Sequence, residues 1–178
     1  MQGLIAYISH SIRPVHGGWL IVAAVIGIAA AVPVRRRPVT VYVLTAYVVL
    51  VLLSTVVLRR DSRLHYGSDN LILMPFWSYS AWITGKSPGL LYEDLANILM
   101  TVPVGFCVTD LAGEKKLCWV LISALLLELV IEGSQLVFHR GLCETDDVLS
   151  GLLGALLGYG LYLLAVAIVR CLRRRGNE

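Results

Sequence analysis

The sequence predicts an all-α integral membrane protein, a helical bundle of about five transmembrane helices, and three observations lead there. Of the 178 residues, 57% are hydrophobic and only 15% charged, with a mean hydropathy of +0.76. That is too apolar for a soluble domain of this size. Uncharged stretches cover residues 18–34, 39–58 and 148–169, lengths of 17, 20 and 22 residues, against about 20 needed to cross the hydrocarbon. The charges gather at segment ends, as headgroup anchors do. A net charge of +3 without a basic stripe excludes nucleic acid as a partner and leaves the bilayer.

The first apolar stretch carries alanines at 29 to 31, which would suit a signal peptide. Its basic residues, Arg35, Arg36 and Arg37, follow it, an order expected of a retained helix with its amino end outside. The second stretch, 39–58, is a plain span. After it, residues 59–90 form a long connection with Phe76, Trp77, Tyr79 and Trp82 around Pro75. Such rings seek the water–lipid boundary, and a short interfacial or re-entrant segment is expected there.

Two further spans carry carboxylates. The third helix, about residues 91–112, opens with Glu93, Asp94 and Asn97, where Glu93 and Asn97 are i, i+4 neighbours. On the fourth, about 117–138, Glu128, Glu132, Gln135 and His139 follow i, i+4, i+7 and i+11, so they share one face. Ionisable groups in a bilayer turn toward a bundle interior or a wet cavity. Glu128 lies 11 residues past Leu117, about 16 Å along the axis and close to the midplane.

The fifth helix presents Ser150, Gly154 and Gly158 every four residues, a small-residue face for close packing within one chain or between two. Glu144, Asp146 and Asp147 sit at its mouth, where they also complement the helix dipole. Cys107, Cys118, Cys143 and Cys171 have no C-x-x-C spacing, so neither a zinc site nor a disulfide framework is expected.

Arg35, Arg36, Arg37, Lys115, Lys116, Arg170, Arg173, Arg174 and Arg175, nine of the 15 basic residues, fall on one side of the threaded bundle. That side is expected to be cytoplasmic, with the amino terminus out and the carboxyl terminus in. The mouths of the third, fourth and fifth helices and the aromatic connection with Arg59, Arg60 and Arg63 then share the outer side. This convergence admits structural ion pairs, a site for a polar headgroup, or acid–base chemistry by a carboxylate. No cofactor is expected, although carboxylates of this kind could hold a divalent cation such as Mg²⁺.

Over about residues 60–165 the chain resembles the VanZ-like membrane proteins associated with lowered sensitivity to glycopeptide antibiotics such as teicoplanin. The resemblance rests on Asn70-Leu-Ile-Leu-Met-Pro75-Phe76, on Asn97 followed by Pro103-Val-Gly105-Phe106, on Glu132-Gly-Ser-Gln135, and on Arg140-Gly141-Leu-Cys-Glu144-Thr-Asp146-Asp147. The chain departs from that family's usual pattern at Glu144, where aspartate is usual, and at Gly151, where asparagine is usual.

The resemblance implies a bacterial cytoplasmic-membrane protein of the cell envelope. Two helices at 1–58 would precede a VanZ-like domain at 59–169 and a basic cytoplasmic tail at 170–178. Its functional cluster would comprise Asn70, Phe76, Asn97, Glu132, Gln135, Arg140, Glu144, Asp146 and Asp147, with Glu128 as an intramembrane charge. The expected function is an outward-facing polar pocket that binds a lipid-linked cell-wall precursor or the glycopeptide itself. The alternatives are a membrane enzyme acting on a lipid-linked or peptidoglycan substrate through Glu132, Asp146 or Asp147, and a transporter using Glu128.

Overall fold

A computed structural model describes residues 13–59, 71–85, 88–138 and 141–175; Asn70, His139 and Arg140 lie outside these. The chain is a helical bundle, as expected. In order it forms α1 (Gly17–Ala31), α2 (Pro38–Leu52, continued by a wider π turn at Leu53–Val57), β1 (Leu71–Ile72), α3 (Trp77–Ile83), α4 (Pro88–Ala112), α5 (Leu117–Phe138), β2 (Cys143–Glu144) and α6 (Thr145–Arg175).

Among the described residues four helices are long and apolar enough to cross a membrane: Pro38–Val57, Gly89–Ala112, Leu117–Phe138 and Thr145–Arg175. The first of the five expected spans is shorter. Pro33, which has no N–H to donate, follows closely on the end of α1. The 15 residues that remain reach about 22 Å, less than the roughly 30 Å hydrocarbon thickness. α1 packs along α2 at the edge of the bundle.

The centre of the bundle is the contact of α4 with α6. In lipid no hydrophobic force drives helices together, so close packing and hydrogen bonds must do it. Small residues let the backbones touch. A Cβ built on Gly154 would stand 2.1 Å from the Ile98 carbonyl oxygen, one on Gly158 2.1 Å from that of Val102, and one on Gly105 2.1 Å from that of Ala155. The small-residue face of the last helix therefore packs within the chain. Phe106 and Tyr162 add an edge-on ring contact at 5.3 Å. Pro103, inside α4, takes away one helix hydrogen bond, and in the same turn the Met100 carbonyl accepts from Tyr47 Oη at 2.8 Å, joining α2 to α4.

Arg37, Lys115, Lys116 and Arg170 stand at one end of the bundle. There Arg37 pairs with Asp110, which also accepts from Thr40 Oγ1 at 2.7 Å. Arg170 pairs with Glu114 at 2.5 Å, and the Glu114 carbonyl accepts from Tyr159 Oη at 2.7 Å. These contacts fasten the α1–α2 connection to the end of α4, and the α4–α5 connection to the long final helix. The helices alternate in direction, so the end of α2, the start of α4, the end of α5 and the start of α6 meet at the opposite, polar end.

The aromatic connection is only partly coil. β1 pairs in parallel with β2, Leu71 opposite Cys143 and Ile72 opposite Glu144, and α3 then lies against α4. Between them Phe76 holds a left-handed backbone (φ 63°) and is 65% exposed. All four cysteines are free thiols.

Candidate functional site

Two networks of buried polar groups are built at the polar end. The first seats α3. Asp146, in the first turn of α6, accepts from the Phe76 amide at 2.6 Å through Oδ1, and through Oδ2 from the Ser78 amide at 2.9 Å and Ser78 Oγ at 2.7 Å. Both carboxylate oxygens thus serve the amino end of a seven-residue helix, whose free N–H groups attract an anion. Ser78 Oγ also lies 2.9 Å from Asp94 Oδ2, and Ser150 Oγ donates to Asp94 Oδ1 at 3.3 Å. Tyr79 Oη closes the set 3.4 Å from Ser150 Oγ.

The sequence marks Asp94 at the mouth of the third span but gives nothing for Ser78, and the joining of the two follows from packing. The one available signal was an aspartate just inside an apolar helix, which must find a partner.

The second network centres on Arg59, one residue past the close of the π turn, where the Leu58 amide bonds back to the Leu53 carbonyl at 2.7 Å. Arg59 donates from Nη2 to Glu93 Oε1 at 2.5 Å. With the Gln135 amide oriented to satisfy both of its ends, Gln135 Oε1 accepts from Arg59 Nη1 at 2.8 Å and Nε2 donates to the Leu142 carbonyl at 3.2 Å. Glu132 Oε2 accepts from the Glu144 amide at 2.9 Å, and the Glu132 carboxyl is in hydrogen-bonding contact with that of Asp147. Gly141 lets the chain pass over this group, since a Cβ there would fall 2.3 Å from the tip of the Gln135 side-chain amide.

Of the expected cluster, Glu132, Gln135, Glu144, Asp146 and Asp147 come together and are buried, each at most 5% exposed. Phe76 joins through its backbone. Asn97 is half-buried in α4, where its carbonyl accepts from Thr101 Oγ1 at 3.0 Å. Asn70 and Arg140 fall outside the described residues. Arg59 and Glu93 complete the network; the i, i+4 pairing of Glu93 with Asn97 is replaced by one across helices.

Among the described residues carboxyl groups outnumber the contacting cation, Arg59, and the consequence is plainest at Glu144, on β2 beyond the spans. Burial first, then the negative charges of Glu93, Asp94, Glu132 and Asp146, push its carboxyl up to about 8. Burial and the nearby carboxylates also push the Cys143 thiol up. Among the described residues no three His, Cys, Asp or Glu side chains are spaced as a metal-ligand set.

One groove reaches the networks from the side. It has a volume of about 290 Å³ and is lined by Phe76, Tyr79, Leu149, Ser150 and Leu153. Its walls are apolar, and its floor carries the Tyr79 and Ser150 hydroxyls that lead to Asp94.

This arrangement, a buried acidic centre beneath an aromatic segment at one end of a membrane bundle, is set out by a stretch of chain that also matches a known family. The family model described as VanZ/LLP1 matches residues 39–167. The chain belongs to the VanZ/LLP1 family. The matched stretch takes in α2, whose end supplies Arg59, as well as every other element of the VanZ-like site. Comparison with curated proteins and with solved structures finds no match.

Proposed function

We propose that this VanZ-like protein lowers the sensitivity of a bacterial cell to glycopeptide antibiotics such as teicoplanin, its polar end binding a lipid-linked envelope precursor or the drug. The observation that carries this reading is the joining of Arg59, Glu93, Gln135, Glu132 and Asp147, from α2, α4, α5 and α6, into one network that bundle packing alone does not require. A guanidinium and several carboxyls, with an exposed aromatic ring at the rim, match a ligand that presents both hydrogen-bond donors and acceptors. The groove under Phe76 gives an amphiphile a side approach from the lipid.

Its place follows from charge. The basic residues at the Arg37 and Arg170 end support a cytoplasmic position for that end, an orientation in which the polar networks face outward across the cytoplasmic membrane. The test is expression in a teicoplanin-sensitive host. A raised inhibitory concentration is expected; an unchanged one, with insertion confirmed, counts against the proposal.

A second reading, a membrane enzyme acting on a lipid-linked or peptidoglycan substrate, draws on the Glu132–Asp147 carboxyl contact, an arrangement suited to moving a proton. Asp146 fits it poorly, because both of its oxygens already hold α3. Glu132→Gln separates the two readings. Proton transfer is lost with the acid, whereas recognition through hydrogen bonds survives the amide.

A further inference from the structure

Among the described residues the column of buried carboxyls that starts at the polar end stops at Glu128. It lies one turn deeper in α5 than Glu132, roughly 6 Å along the axis. Its side chain is 0% exposed, and neither carboxyl oxygen has a hydrogen-bond partner. Among the described residues these two oxygens are the buried side-chain polar atoms left without one.

Gly151 of α6 makes room for this carboxyl: a Cβ there would stand 2.1 Å from Glu128 Oε1 and 2.4 Å from Cδ. The space that a side chain on α6 would occupy is filled by Glu128, leaving no donor on that side. The titratable groups nearby lie toward the polar end. Glu132 is one turn up on α5 and Asp147 one turn up on α6, in contact with each other. Beyond them stand Glu144 on β2, Glu93 and Asp94 on α4, and Arg59, which bonds Glu93 and Gln135.

Toward the basic end the same face of α5 continues through Ala124 and Val120, both buried and apolar. A carboxylate in a bilayer without a donor is strongly disfavoured, whereas a carboxylic acid carries no charge and is the favoured resting form. The smallest ligand that removes the charge is the proton.

We infer that Glu128 is an intramembrane proton-binding site, loaded and emptied only from the polar end through Glu132 and Asp147. In loading, an O–H bond breaks at a protonated Glu132 or Asp147 and one forms on the Glu128 carboxylate. The outer group is left as a carboxylate, steadied by the Glu144 amide or the nearby Arg59. Emptying reverses the same step. Because the column stops at Ala124, the site stores a proton and does not pass it across the membrane.

Infrared difference spectroscopy of the full chain in vesicles tests this. The high-frequency C=O band of an acid without hydrogen bonds is expected at neutral pH, absent from Glu128→Gln and shifted in Gly151→Ala, whose methyl would press on the carboxyl. A band that persists in Glu128→Gln, fails to move in Gly151→Ala, or emerges only when sodium is withdrawn overturns the assignment. A pH-sensitive dye inside the same vesicles should report no leak beyond that of empty ones; a protein-dependent proton flux would overturn the blind column.

Discussion

Arg59 and Glu93 lie 34 residues apart in the chain, yet Nη2 of the one donates to Oε1 of the other at 2.5 Å, each side chain only 17% exposed. The pair bolts the end of α2 to the start of α4, and through Gln135 the same guanidinium reaches the end of α5. Arg59→Met would leave Glu93 in a shielded place without its counter-charge. Removing one partner of such a pair costs roughly 3–5 kcal/mol, so a marked fall in thermal unfolding temperature is expected in detergent. Arg59→Lys should recover only part of it, because an ammonium cannot reproduce the two-pronged contact with Glu93 and Gln135.

Glu144 gives stability a pH dependence of definite sign. Its carboxyl is raised from 4.5 to about 8, so between those values the folded chain holds a proton that the unfolded chain has released. Stability then falls as pH rises through that window and levels off above it. Unfolding temperatures measured from pH 4 to pH 9 should show the fall, and Glu144→Gln should flatten it. A rise in stability across the window would refute the assignment.

Asp146 is predicted to anchor α3. Asp146→Ala strips the Phe76 and Ser78 amides of their acceptor, at about 1–3 kcal/mol for each group left unsatisfied. Limited proteolysis should then cut residues 71–85 faster while α4 to α6 stay protected. Asp146→Asn, which keeps one acceptor oxygen, should lie between the two.

The glycines of α6 allow an internal control. Gly154→Leu must drive α4 away, since even a Cβ would meet the Ile98 carbonyl at 2.1 Å, whereas Gly160 has nothing within 4 Å of its Cβ position. Gly154→Leu should abolish a stable bundle. Gly160→Ala should leave it intact or slightly firmer, by up to about 1 kcal/mol from helix propensity. Size-exclusion profiles and unfolding curves of the two variants check this.

Much of this architecture was legible in the sequence because a bilayer imposes few solutions. Length and apolarity located α2, α4, α5 and α6. The helical spacing of Glu128, Glu132 and Gln135 correctly put all three on a buried face. What could not be read was pairing across helices. Nothing local in Ser78 marks it as the hydroxyl between Asp94 and Asp146, and nothing in Arg59 distinguishes it from the arginines beside it. Their roles arise when the aromatic segment folds back and the π turn closes, which are tertiary events. The first helix ends at Ala31, a few residues before its uncharged stretch does, because hydropathy does not register the break that Pro33 imposes.

The account turns on Arg59 joining α2, α4 and α5 into a working site. Teicoplanin inhibitory concentrations in one sensitive host, carrying the wild-type chain, Arg59→Gln or empty vector at matched membrane levels, address it most directly. Protection by the wild type and its return to the vector value in Arg59→Gln is the predicted result. Full protection from Arg59→Gln would contradict it.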